Sequence, residues 1–187
     1  MTTKTLVVVG GGAAGFFCAV NAARLSPNLL VIILEKSTKL LSKVKVSGGG
    51  RCNVTHDCQS ISEMVKRYPR GSSFLKKSFH HFFTSDTISW FEKMGVKLHA
   101  EADGRMFPVS NNSQTIVDCL LSEAEKYAID IRMSTELKSL EQTGNSWEVR
   151  TNKGNIAADF VCIACGGFPK LEQFNFLGGT GHSWVKP

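Results

Sequence analysis

Apolar residues along this chain follow two periods, and the switches between them outline the elements. Residues 5–9 form a continuous apolar run that ends in glycine, the pattern of a short strand buried on both faces. Gly10-Gly11-Gly12-Ala13-Ala14-Gly15 follows, and the alanine-rich stretch 16–25 predicts a helix that Pro27 and Asn28 stop. Leu29–Leu34 repeats the buried-strand pattern and closes on Glu35. Residues 36–58 lose the pattern. They are polar, basic and glycine-rich, and read as one long loop around Ser47-Gly48-Gly49-Gly50-Arg51-Cys52-Asn53.

Residues 60–94 read as helical, with Thr84 or Ser85 as an N-cap ahead of Ile88, Phe91 and Met94. Residues 104–110 form a short extended piece interrupted by Pro108. Asn112 or Ser113 then caps a helix whose apolar stripe is Ile116, Val117, Leu120, Leu121 and Ala124. Between 130 and 159 the period shortens. Runs at 131–133, 136–140, 147–149 and 156–158, split by Thr143-Gly144-Asn145 and Asn152-Lys153-Gly154, predict a small antiparallel meander. Residues 160–164 return to a fully apolar strand, halted by Gly166-Gly167. The predicted class is α/β: strands buried on both faces, an inserted helical segment and the meander.

At 187 residues, with 42% hydrophobic and 20% charged positions, the chain can bury a core, and wholesale disorder is excluded. It has no run of about eighteen apolar residues, so no membrane span is expected. The first apolar run is too short for a secretory signal, which leaves the cytoplasm as the expected location. Net charge is +6, unevenly spread. Residues 1–105 hold fifteen Lys and Arg against seven Asp and Glu, and residues 106–187 hold seven against nine. Two stretches carry five basic residues each without an acid: Lys36, Lys39, Lys43, Lys45 and Arg51, then Lys66, Arg67, Arg70, Lys76 and Lys77. Such clusters attract phosphate, on a nucleotide or an RNA backbone, or simply form a solvated face.

The six cysteines are scattered. Cys162 and Cys165 are three apart in a strand and point to opposite faces, so neither a metal site nor a disulfide is expected and all six read as reduced thiols. His80, His81 and His99 lie in helical or connecting stretches, and no residue stands out as a catalytic acid or base.

The spacing Gly10-x-Gly12-x-x-Gly15, directly after a strand and opening a helix, has a physical logic. The first glycine permits the tight turn, the second lets a pyrophosphate approach the backbone, and the third lets helix and strand pack closely. The helix N-terminus then offers free N–H groups to phosphate. Ala19 and Ala22 are small enough to sit against a sheet. Glu35, twenty residues after Gly15, can accept hydrogen bonds from both ribose hydroxyls and would repel a 2′-phosphate. An S-adenosylmethionine site would use the same frame.

The run Gly10 to Gly15 with Glu35-Lys36, then Lys43-Val44-Lys45-Val46-Ser47-Gly48-Gly49-Gly50-Arg51-Cys52-Asn53-Val54-Thr55, resembles the BaiN/YhiN-like flavoproteins. These are the aminoacetone-oxidase-family FAD-binding enzymes, a branch of the two-dinucleotide-binding-domain flavoproteins. Gly104-Arg105-Met106-Phe107-Pro108 and Ala164-Cys165-Gly166-Gly167 add to the likeness, with Cys165 where the family has threonine. The resemblance implies a Rossmann-like FAD-binding domain over residues 1–187 and FAD as cofactor. It implies Gly10, Gly12, Ala13, Ala14 and Gly15 around the pyrophosphate, Glu35 on the adenosine ribose, and Lys36 and Lys43 near adenosine and phosphate. Ser47, Gly48, Gly49, Gly50, Arg51, Cys52 and Asn53 would run beside the ribityl chain and flavin ring. Leu137 would set its backbone near the adenine, and Ala164 and Gly166 would pass close to the cofactor.

The same resemblance implies hydride transfer to an electron-poor C=C bond, an enone or a uridine-type ring, with NAD(P)H as a possible electron donor and a small molecule or RNA as substrate. The family continues past the Gly166-Gly167-Phe168-Pro169 segment and a tail like Gly181 to Pro187 into a substrate domain, then returns to finish the FAD site. The chain is therefore expected to be an N-terminal portion that alone binds FAD weakly or not at all and turns over little. A nucleotide- or RNA-binding module without chemistry of its own is the other reading.

Overall fold

The computed structural model describes residues 3–167, 171–178 and 180–182, so Phe168, Pro169 and the tail beyond His182 lie outside the described residues. In chain order the elements are β1 (Lys4–Val9), α1 (Ala13–Leu25), β2 (Leu29–Leu34), α2 (Ser42–Gly50) and β3 (Thr55–His56). Next come α3 (Ile61–Lys66), α4 (Ser72–Phe79), α5 (Thr84–Lys93), β4 (Leu98–Ala100), β5 (Arg105–Pro108) and α6 (Gln114–Lys126). The chain continues through β6 (Asp130–Arg132), β7 (Leu137–Thr143), β8 (Ser146–Thr151), β9 (Gly154–Ala158), β10 (Phe160–Ile163) and a 3-10 helix (Leu171–Leu177). Two compact units result, Met1–Ser42 with Leu120–Pro187, and Lys43–Cys119.

The first unit is built on a parallel sheet in the order β10-β1-β2-β6. Alternation along β1 and β2 divides its residues between two layers. Val7, Val9, Ile32 and Leu34 pack with Leu137, Leu140, Val149 and Ala158 of the three-stranded β7-β8-β9 meander. Leu6, Val8, Val31 and Ile33 take the other face, where α1 buries Phe16, Ala19, Val20 and Ala23. This is a Rossmann-type α/β frame carrying antiparallel strands.

The meander differs from expectation at its start. Asp130–Arg132 does not join the antiparallel strands but pairs in parallel with β2, Ile33 opposite Ile131. The run follows α6, so it arrives as the third strand of a β-α-β series, and its residues are half-buried rather than alternating. Single-strand periodicity carries no information about which sheet a strand enters.

In the second unit β5 is the central strand of an antiparallel sheet, β3-β5-β4, rather than an interrupted piece. Pro108 ends it opposite Leu98, where its missing N–H breaks no internal ladder bond. The expected helical segment 60–94 is three helices. Pro69 and Gly71 separate the first two, with Gly71 at φ +74, and residues 80–83 separate the others. Thr84 is not the cap. Phe83 is, its N–H donating to the Asp86 carboxylate at 2.7 Å, while the buried Thr84 hydroxyl donates to the Cys58 carbonyl. Ser113 flanks α6, its carbonyl accepting from the Val117 N–H and its hydroxyl donating to the Lys45 carbonyl at 2.7 Å, while the Asn112 side-chain oxygen accepts from the Gln114 N–H. Among the described residues no helix is long and apolar enough to cross a membrane, and no group of three or more His, Cys, Asp or Glu could hold a metal ion.

Candidate functional site

In the first unit the glycine loop sits at the C-terminal ends of β1, β2 and β10. Gly10 has φ +117, and a Cβ there would lie 2.5 Å from the Ala164 carbonyl oxygen. The loop is tied in on both sides, Gly10 N–H donating to Leu34 O at 2.8 Å and Ala164 N–H to Val9 O at 2.8 Å. A Cβ at Gly15 would run into the Gly10 carbonyl oxygen, so that glycine lets α1 close onto the loop. Gly12 has nothing within 4 Å of its Cβ position. It is also the N-cap of α1, with no side-chain cap bond and no acid in the first turn. The amides of Ala13, Ala14 and Gly15 therefore open, with the positive end of the helix dipole, onto free space.

Glu35 is held at the edge of that space. Its Oε2 accepts from the Gly11 N–H at 2.9 Å and its Oε1 from the Ser37 N–H at 2.8 Å. Burial works to raise this carboxyl's pKa. The Ser37 N–H and hydroxyl, the Gly11 N–H and the Lys36 charge outweigh it and hold the group below the usual glutamate range. Each oxygen keeps a lone pair for a second donor. The chemistry of these residues, free amides beside a charged carboxylate, fits an adenosine diphosphate moiety.

Several supports of this arrangement were not legible as site residues. Gly11, a variable position in the motif, supplies the amide that orients Glu35. The Glu35 main chain is stitched to the end of β6, its N–H donating to Arg132 O at 3.0 Å and its carbonyl accepting from Thr135 N–H at 2.8 Å. Leu41, buried and at φ +54, donates its N–H to Gly11 O at 2.9 Å. The signal was the apolar pair Leu40-Leu41 in an otherwise polar run. Leu137 is buried in the same core cluster as Val9 and Leu34, the residues before Gly10 and Glu35. Lys36 is exposed, and Gly166 is exposed at φ +75.

In the second unit the stretch read as loop begins as the first turn of α2. At Ser47 the backbone becomes extended and then left-handed through Gly48, Gly49 and Gly50, at φ +56, +67 and +87. Cys52, also left-handed at φ +64, returns its N–H to Ser47 O at 3.0 Å. Gly50 O accepts from Ser113 N–H at 2.8 Å, and a Cβ at Gly48 would lie 2.8 Å from the Phe107 ring. Arg51 stacks 4.1 Å above Phe107 and pairs with Glu101 at 2.5 Å. Asn53 donates its amide to Thr55 O at 2.9 Å in the orientation that satisfies its neighbours. Arg105 is an ion-pair residue with Glu101 and Asp103. The Cys52 thiol is buried and its pKa raised by that burial, with Ser47 partly opposing, so it is a poor nucleophile. Lys43 is exposed.

All six cysteines are free, and Cys18 on α1 and Cys162 on β10 lie close enough that the Cys18 thiol lowers the Cys162 pKa to about 7.

Comparison with known proteins places this geometry. The family model described as the HI0933-like protein Rossmann domain matches residues 4–182. The chain is 26% identical over 179 residues to a 3-dehydro-bile acid delta(4,6)-reductase of Clostridium scindens, covering 96% of this chain and 42% of that protein. It is 29% identical over 161 residues to the ribosomal RNA dihydrouridine synthase of Escherichia coli, covering 86% and 39%. The chain thus spans about two-fifths of the length of these curated relatives. Among solved structures it superposes on E. coli quinol fumarate reductase FrdA with TM-score 0.66 and 18% identity, over 88% of this chain and 33% of that one. On Thermovibrio ammonificans THI4 the values are 0.60 and 12%, over 94% and 63%.

Proposed function

The chain belongs to the HI0933-like protein Rossmann domain family, and from that premise we propose that it is the FAD-binding part of a flavin-dependent oxidoreductase that reduces an electron-poor C=C bond. The observation that carries this reading is the open space at Gly12, between the uncapped N-terminus of α1 and the carboxylate of Glu35. When bound, FAD supplies the two-electron redox chemistry. The amides of Ala13, Ala14 and Gly15 bind the diphosphate. Glu35 accepts from the ribose hydroxyls and, being charged, rejects a 2′-phosphate. Ala164 and Gly166 border the same crevice, Lys36 lies by the adenosine, and the Leu137 main chain faces the adenine end. Lys43 and the turn from Ser47 through Gly48, Gly49, Gly50, Arg51 and Cys52 to Asn53 keep the roles that the resemblance implies, at the phosphate and flavin ends. NAD(P)H is the proposed electron donor.

The bile acid reductase and the dihydrouridine synthase point to two carriers of such a bond, an enone and a uridine. The second unit favours RNA. Arg67, Arg70, Lys76 and Lys77 are exposed beside exposed Tyr68, Phe74 and Phe82, and α4 buries none of its residues. Cations interleaved with unburied aromatic rings suit a single-stranded phosphate backbone and its bases.

Titrating FAD into the 187-residue chain tests the cofactor reading. Flavin fluorescence is expected to quench on binding, with Gly12→Val weakening the affinity at least about tenfold at an unchanged urea midpoint. Equal affinity in the variant would sink the assignment. For RNA, Lys76→Glu with Lys77→Glu is expected to lower retention on ribosomal RNA and flatten its salt dependence, by roughly 0.7 in log–log slope per lost phosphate contact.

A further inference from the structure

Cys18 and Cys162 have no part in the proposed nucleotide site, yet they lie on the helix and the strand that support it. The register of β10 on β1 sets Cys162 opposite Val8. Val8 faces α1, because its Cγ1 lies 3.4 Å from where a Cβ of Gly15 would stand. Val161 and Ile163, on either side of Cys162, pack toward the meander layer, so Cys162 is turned to the helix. On α1, Cys18 is three residues beyond Gly15 and so shares its face. Both cysteines are half-buried and free. Strand β10 is bonded to β1 alone among the described strands, at the edge of the sheet.

From this juxtaposition we infer that Cys18 and Cys162 form a modification site, a dithiol that a hydroperoxide converts into a disulfide tying α1 to β10. The other cysteines are less suited. Cys52 and Cys119 are buried, and the Cys58 and Cys165 thiols donate to the Ser60 and Gly166 carbonyls. The neighbouring Cys18 thiol brings the Cys162 pKa down to about 7 against the opposing effect of burial, so Cys162 is the attacking thiolate. Its sulfur bonds to one peroxide oxygen as the O–O bond breaks. The sulfur gives up two electrons and becomes a sulfenic acid, and the departing oxygen takes up a proton. The Cys18 sulfur then attacks the sulfenic sulfur, the S–O bond breaks, and hydroxide leaves as water with the Cys18 proton. With hydrogen peroxide the balance is two thiols and one peroxide giving one disulfide and two waters.

The test uses the reduced 187-residue chain without cofactor, treated with one equivalent of hydrogen peroxide and mapped by mass spectrometry. The expected result is a loss of about 2 Da, reversed by dithiothreitol, with Cys18 and Cys162 in one linked peptide. Cys18→Ser is expected to stop at a sulfenic acid on Cys162 that dimedone traps, and Cys162→Ser to show neither product. The same treatment in urea is expected to abolish the preference for this pair. A disulfide mapped elsewhere in the folded chain, direct over-oxidation of Cys162 in the wild type, or no reaction at either cysteine would each overturn the inference. None of these readouts depends on flavin, so the two proposals stand or fall separately.

Discussion

In the loop after β1, a Cβ at Gly15 would run into the Gly10 carbonyl oxygen, and one at Gly10 would lie 2.5 Å from that of Ala164. In the Ser47–Asn53 turn, Gly49 and Gly50 have nothing within 4 Å of their Cβ positions and are glycine only because their φ angles are positive. Gly15 is glycine for close packing alone and Gly10 for packing and a φ of +117, whereas Gly49 and Gly50 are glycine for handedness alone. Gly12 belongs to neither class: it has free space and no positive φ. A glycine that the fold does not require is the one left for a ligand.

Substitutions can break or sharpen that contrast. Gly15→Ala has the largest expected cost, about 3 kcal/mol in urea unfolding, because the colliding partner is main chain that cannot rotate away. A loss under about 1 kcal/mol would show that helix and loop separate easily. Gly48→Ala combines left-handed strain with the Phe107 ring and is expected to cost about 2 kcal/mol. Gly49→Ala carries the strain alone, about 1 kcal/mol, and Gly49→Asn less, since Asn tolerates this conformation. Arg51→Lys is expected to cost about 1 kcal/mol, because an ammonium cannot keep both the contact over the Phe107 ring and the ion pair with Glu101.

Glu35 adds a pH signature to the first loop. Its folded pKa lies below the usual value of about 4.5, so its contribution is fully present above that pH and fades as pH falls through the lowered value. Glu35→Gln is expected to flatten the acid limb of the stability–pH curve and leave the neutral region alone, as read by urea midpoints at successive pH values. An unchanged acid limb would mean that the Gly11 and Ser37 amides do not favour the charged form. Gly12→Ala has the smallest expected effect on folding, within about 0.5 kcal/mol, because its side chain meets open space.

The parallel frame was readable because strands buried on both faces and a glycine-bounded helix leave strong local marks. Gly10, Gly12, Gly15 and Glu35 were identified by spacing, and the structure gathers all four at one crevice. The turn at Ser47 to Asn53 was legible as glycine but not as shape. The contact of Arg51 over Phe107 and the Ser113 bond to Lys45 join residues dozens of positions apart, and no window of sequence holds both partners. The two breaks of the segment 60–94 were blurred for the opposite reason: helical composition runs on across Pro69 and Gly71, and only geometry shows where each helix stops.

The order of amino acids alone determined which segments could bury themselves, where the chain must turn, and that a helix would start on glycine and alanine with an acid waiting at the next strand end. Those properties depend on neighbours within a few residues, where periodicity and φ preferences act. Tertiary structure decided the rest. It sent Asp130–Arg132 to the parallel sheet, recruited Gly11 to aim Glu35, and brought Cys18 against Cys162 across an interval of 144 residues. Each depends on which strand pairs with which, and pairing is settled by the burial of whole faces.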